Sequence, residues 1–128
     1  MEPVGILPAI SPLRYGQRMS GDLQLCLCLC TCPDGDVAGK IADQLVAEQL
    51  AACVNIVPGI LSVYRWQDEV EHGQEVLLLI KTSKTLWSQL EQCIQALHPY
   101  ELPEIMAVPI TTGQADYIKW IEASLKSP

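Results

Sequence analysis

The segment "LQLCLCLCTC", Leu23 to Cys32, alternates with a period of two: Leu23, Leu25, Leu27 and Leu29 fall on one face, Cys26, Cys28, Cys30 and Cys32 on the other. Free cysteine behaves as a small hydrophobe, so this strand is apolar on both faces and demands cover on both. That demand limits the folds open to the chain more than any other feature.

The next segment supplies cover for one face. "PDGDVAGKIADQLVAEQLAAC" changes to the helical period, with Val37, Ile41, Leu45, Ala38, Ala42, Val46 and Leu50 on one broad stripe. Asp34 and Asp36 stand where an N-cap and the helix dipole favour acids. "CVNIVPGILSVYRWQ" is rich in strand formers, and Pro58-Gly59 predicts a bulge or bend within it. A polar turn at Gln67 to Glu69 leads into "VEHGQEVLLLIKTS", whose apolar run Val76 to Ile80 reads as a buried strand, and the hairpin around that turn is expected to extend toward neighbouring subunits. Ser83 is placed to cap a second helix carrying Leu86, Leu90, Cys93, Ile94 and Leu97, which Pro99 ends. "ELPEIMAVPITT" reads as another strand, and "QADYIKWIEASL" as a short helix with Tyr117, Ile118, Ile121 and Leu125 as its stripe.

The order βαββαβ plus a C-terminal helix is that of an α+β, ferredoxin-like antiparallel sheet with its helices on one face. The other face stays bare although its strand is apolar, and a chain of 128 residues does not expose such a patch without a partner. A second copy of the chain is the expected cover.

Residues 1–22 lack periodicity, and three of the nine prolines lie among the first twenty residues. They are expected to form a flexible tail ahead of a single domain over 23–128. Met19 is a candidate start of translation, and the first residues lack the basic region of a secretory signal. The expected compartment is therefore the reducing cytoplasm, where disulfides are rare. The net charge of −7, with no concentration of Lys or Arg, argues against nucleic acid and anionic membrane surfaces. No apolar run approaches the ~20 residues of a membrane helix.

The cysteine row raises the question of a metal. Residues i and i+2 of a strand stand ~6.7 Å apart with parallel Cβ vectors, unsuited to a disulfide between neighbours and poor for one tetrahedral ion. Cys26 and Cys28 read as core. Cys30 and Cys32, at the strand end before Pro33, are the candidates for chemistry. Of two histidines, His72 lies in a polar segment, while His98 ends the second helix in "LHPYELPE". A thiol and an imidazole would suit copper, although a helix-terminal histidine more often bonds locally. "GDVAGK" has three residues between its glycines and Ile41 where a Ser or Thr would hold magnesium, so it is not a P-loop. Cys30 as nucleophile with His98 as base lacks an orienting third group, so the chain does not read as an enzyme.

"LAACVNIVPGILSVYRW", "EVLLLIKTS", "HPYELPEIMAVPI" and "DYIKWIEASL", in this order, resemble the CutA divalent-cation-tolerance family across Leu23 to Lys126. The resemblance implies a homotrimer of ferredoxin-like subunits and a role in the response to metal ions, copper binding included. It also implies metal ligands at the Cys of "LCT" and at two consecutive histidines before "PY". These positions are Cys30, Leu97 and His98, so one ligand is missing and weak copper or divalent-cation binding is expected. Cys32 is available as a substitute, against the strand spacing. Leu97→His is expected to tighten binding. Tyr64, Trp66, Glu75, Lys81, Tyr100, Glu101 and Glu104 fall in the signature segments. The trimer's likeness to PII-type signalling proteins gives the alternative, a sensor that binds a small effector or protein in clefts between subunits.

Overall fold

The computed structural model describes residues 24–127, so the expected tail over 1–22, Met19 and Leu23 lie outside the described residues. Four strands form one antiparallel sheet in the order β2-β3-β1-β4: β1 (Leu25–Cys32), β2 (Cys53–Trp66), β3 (Glu69–Ser83) and β4 (Ile105–Pro109). Helices α1 (Gly35–Ala47) and α2 (Trp87–Leu97) provide the crossovers, and α3 (Ala115–Ser124) follows β4. The ferredoxin-like reading holds.

β1 is an inner strand. Cys28, Cys30 and Cys32 pair with Ile80, Leu78 and Val76 and share their face, against which Ile41, Leu45, Leu90 and Ile94 pack. Leu27 and Leu29 occupy the opposite face with Leu79, Met106 and Val108, which neither α1 nor α2 covers: Met106 is 51 % exposed, while Leu25 at the start of the same face is buried, beside Ile118 and Glu122 of α3.

The ends of α1 follow from local chemistry. The Val37 N–H donates to Asp34 Oδ1 (2.9 Å), which makes Asp34 the N-cap. At the other end Gln49 takes φ 58°, and the Gln49 and Leu50 N–H groups return to the carbonyls of Val46 and Leu45. This closing motif satisfies the last carbonyls and turns Leu50 into the core. Thr82 Oγ1 then donates to the Leu50 carbonyl (2.7 Å), tying the loop to β3.

The bulge expected at Pro58-Gly59 is present as a register shift between Val57 and Ile60, with Gly59 at φ 75°. The hairpin turn expected around Gln67 to Glu69 is present, and one other expectation, the Ser83 cap, needs correction. β3 runs from Glu69, well before the apolar stretch, because its polar half pairs with the distal part of β2 as a two-stranded ribbon closed by Gln67 and Asp68, both at positive φ. Ser83 does not cap α2. It precedes a 3-10 turn (Lys84–Leu86), bonds to Thr85 Oγ1 (2.8 Å), and α2 starts only at Trp87.

Candidate metal centre

α2 stops because the residue before Pro99 is driven out of the helical region: His98 adopts φ −85°, ψ 134°. That turn swings the imidazole off the helix axis onto the end of β1. His98 Nε2 lies 2.7 Å from the Thr31 carbonyl oxygen, and the Tyr100 N–H donates to Nδ1 (3.2 Å). The two contacts assign the neutral tautomer with Nε2 protonated. The Tyr100 ring packs tilted on the imidazole at 4.7 Å, and its hydroxyl donates to Glu75 (3.0 Å).

Donor atoms of Cys30, Cys32 and His98 all lie within 4.8 Å of one another, and all three residues are buried, both cysteines fully. Strand spacing alone argues against a meeting of Cys30 and Cys32. That spacing governs Cα and Cβ, whereas each sulfur turns about its own Cα–Cβ bond, and two sulfurs on one face can lean together. Their contact and burial push the Cys30 thiol up, while the contact with Cys30 brings Cys32 down. Cys28, deeper in the strand, is pushed up to about 12 by burial, and burial raises Cys26 as well. The first half of the row is core and the second half is a cluster.

The donor set fits a soft ion. Two sulfurs and an imidazole suit copper, particularly Cu(I), and the Nε2–H···O=C bond is the kind of outer contact that orients a ligating histidine. Hard cations, which take oxygen donors, do not fit it.

Other sequence-marked residues lie elsewhere. Leu97 is 41 % exposed and lines the surface groove between α1 and α2, with Gln44, Glu48 and Cys93. It stands outside the Cys30–Cys32–His98 cluster. His72 is exposed on the β2–β3 ribbon. Tyr64 and Trp66 stand half-exposed on the ribbon, Tyr64 against Gly73. Lys81 Nζ donates to Asn55 Oδ1 and contacts Cys53 Sγ (3.9 Å). Glu101 and Glu104 are exposed. Sequence reasoning marks Cys30 and His98 and admits Cys32 only as a substitute, so the convergence of all three is the part it misses.

The CutA1 divalent ion tolerance protein family profile matches residues 26–124. The divalent-cation tolerance protein CutA of Thermus thermophilus is 53 % identical over 89 residues, 70 % of this chain and 86 % of that protein. A chloroplastic CutA of Arabidopsis thaliana is 44 % identical over 95 residues, 74 % of this chain and 52 % of that protein. The crystal structure of CutA1 from Oryza sativa superposes with a TM-score of 0.81 at 38 % identity, covering 83 % of this chain and 97 % of that one. With fold, signature segments and relatives in agreement, the chain belongs to the CutA1 divalent ion tolerance family.

Proposed function

We propose that this protein is a homotrimeric, non-catalytic metal-binding protein of copper and divalent-cation homeostasis, with Cys30 and His98 as ligands. The observation that carries the reading is the convergence of a thiol and an imidazole donor within 4.8 Å at the buried end of β1. Binding is weak, because it costs His98 one of two backbone hydrogen bonds and each thiol ligand its proton. Six free cysteines favour a reducing compartment, the cytoplasm, and the chloroplastic relative makes this a point for localisation by microscopy. Support for the trimer comes from the uncovered apolar face and from exposed Leu61, Val63, Trp66 and Val70 on the ribbon, which reaches beyond the sheet. Purified protein titrated with copper against a chromophoric chelator tests the metal role. Cys30→Ser and His98→Ala lose the copper, and His72→Ala keeps it. Retention by both of the first two variants removes the reading.

A second reading rests on the Tyr100–Glu75 hydrogen bond beside half-exposed Tyr64, a polar and aromatic patch next to the uncovered face. In a trimer this patch borders a neighbour and offers a cleft for a small effector. A melting shift with small metabolites, independent of metal, is its test.

A further inference from the structure

We propose that Cys32 is the third ligand of the metal centre, in the role that Leu97 cannot fill, and that the resulting two-sulfur, one-nitrogen site selects Cu(I) over divalent ions. The inference rests on the proposed metal role of Cys30 and His98 and adds the donor set and the ion.

Three observations carry it. Cys32 Sγ lies in the same 4.8 Å cluster as the Cys30 sulfur and the His98 nitrogen, whereas Leu97 has no donor atom and lines the groove between helices. The cluster is closed: Cys30 and Cys32 are 0 % exposed and His98 7 %, and among the described residues no fourth Cys, His, Asp or Glu joins it. Three donors in a closed pocket meet the low coordination number of Cu(I), whereas Zn(II) is almost always four-coordinate in closed structural sites. Thiolates are also the softest protein ligands and favour Cu(I) over harder divalent ions. Binding leaves the oxidation state unchanged: Cu(I) enters as Cu(I), two S–H protons pass to solvent, and two Cu–S bonds and one Cu–N bond form.

The test uses the full chain loaded anaerobically with Cu(I). X-ray absorption on the unaltered protein is expected to count two sulfurs and one nitrogen around copper, a result that depends on no variant's folding. Cys32→Ala, checked for an intact melting transition, is expected to lower Cu(I) affinity by at least about tenfold, since even outer-sphere changes cost that much. Zn(II), Ni(II) and Co(II) are expected to displace Cu(I) only in large excess. One sulfur per copper, or wild-type affinity in Cys32→Ala, overturns the proposal and leaves the Cys30–His98 reading standing. Ready displacement by Zn(II) overturns the selectivity. No Cu(I) bound by the unaltered protein overturns both readings together.

Discussion

His98 Nε2 lies 2.7 Å from the carbonyl oxygen of Thr31, a bond that spans 67 positions of sequence and joins the end of α2 to the end of β1. Both residues are buried, so losing the imidazole leaves the Thr31 carbonyl, among side-chain donors, only the long and weak contact from the Cys30 thiol (3.8 Å). An unsatisfied buried polar group costs about 1–3 kcal/mol. His98→Ala is therefore expected to destabilise the protein by that amount in urea, in the absence of any metal. A variant as stable as the parent would show that the bond contributes nothing to folding.

The thiols should divide into two classes. Cys26, Cys28, Cys30 and Cys32 are buried, while Cys53 and Cys93 are half-buried. Only accessible thiolates react readily. Native alkylation followed by mass spectrometry is expected to mark Cys93 and Cys53 first and the four strand cysteines only after unfolding. Fast labelling of Cys26 or Cys28 would contradict their place in the sheet.

The burial of the strand cysteines is legible in the alternation of "CLCLC", as are the Asp34 cap, the bulge at Gly59 and the stop at Pro99 in their own short segments. Each depends on residues adjacent in sequence. The polar half of β3 is legible only through its turn at Gln67 to Glu69, because Glu69 to Glu75 are largely polar and exposed and are held as strand by pairing with β2 rather than by burial. The start of α2 escapes the sequence because the Ser83 hydroxyl bonds to Thr85 Oγ1 instead of a helix N–H. The Cys30–Cys32 contact escapes it because side-chain rotation, unlike strand period, leaves no trace in sequence.

Alkali should weaken the fold in a defined window. Burial pushes Cys28 up to about 12 in the folded state, against an ordinary thiol value of 9.0. The folded chain therefore holds a proton that the unfolded chain releases first, and stability falls as pH rises between these values. Tyr100, raised to about 12 by burial and by Glu75, acts in the same direction from pH 10. Urea midpoints are expected to decline from pH 9 towards pH 12, and Cys28→Ala to flatten the decline relative to its own neutral-pH midpoint. An unchanged slope in that variant would show that Cys28 is not its source.

Assembly can be tested on the uncovered face. Leu29 points away from α1 and α2 and pairs with Leu79 and Met106. A carboxylate there keeps some access to water in the isolated chain, where the position is only partly buried, but it costs several kcal/mol more if a neighbour buries it unpaired. Leu29→Asp is expected to convert a species of three times 14.1 kDa into one of 14.1 kDa in sedimentation. A trimer that survives the substitution would mean that this face is not the interface.

Leu97→His separates the two ways of completing the proposed metal centre. The family resemblance places a histidine at this position among the ligands, and from that alone the substitution should tighten binding. In this structure Leu97 is 41 % exposed and lines the α1–α2 groove beside Glu48 and Cys93, outside the Cys30–Cys32–His98 cluster. The backbone at His98 fixes which side chain turns inward, and Pro99 restricts that backbone. An imidazole at 97 should therefore face the groove, and Cu(I) affinity by chelator competition is expected to change by less than about twofold, well under the tenfold that separates ligands from bystanders. A tenfold gain would mean that α2 unwinds by a residue on metal binding and would return the third ligand position to residue 97.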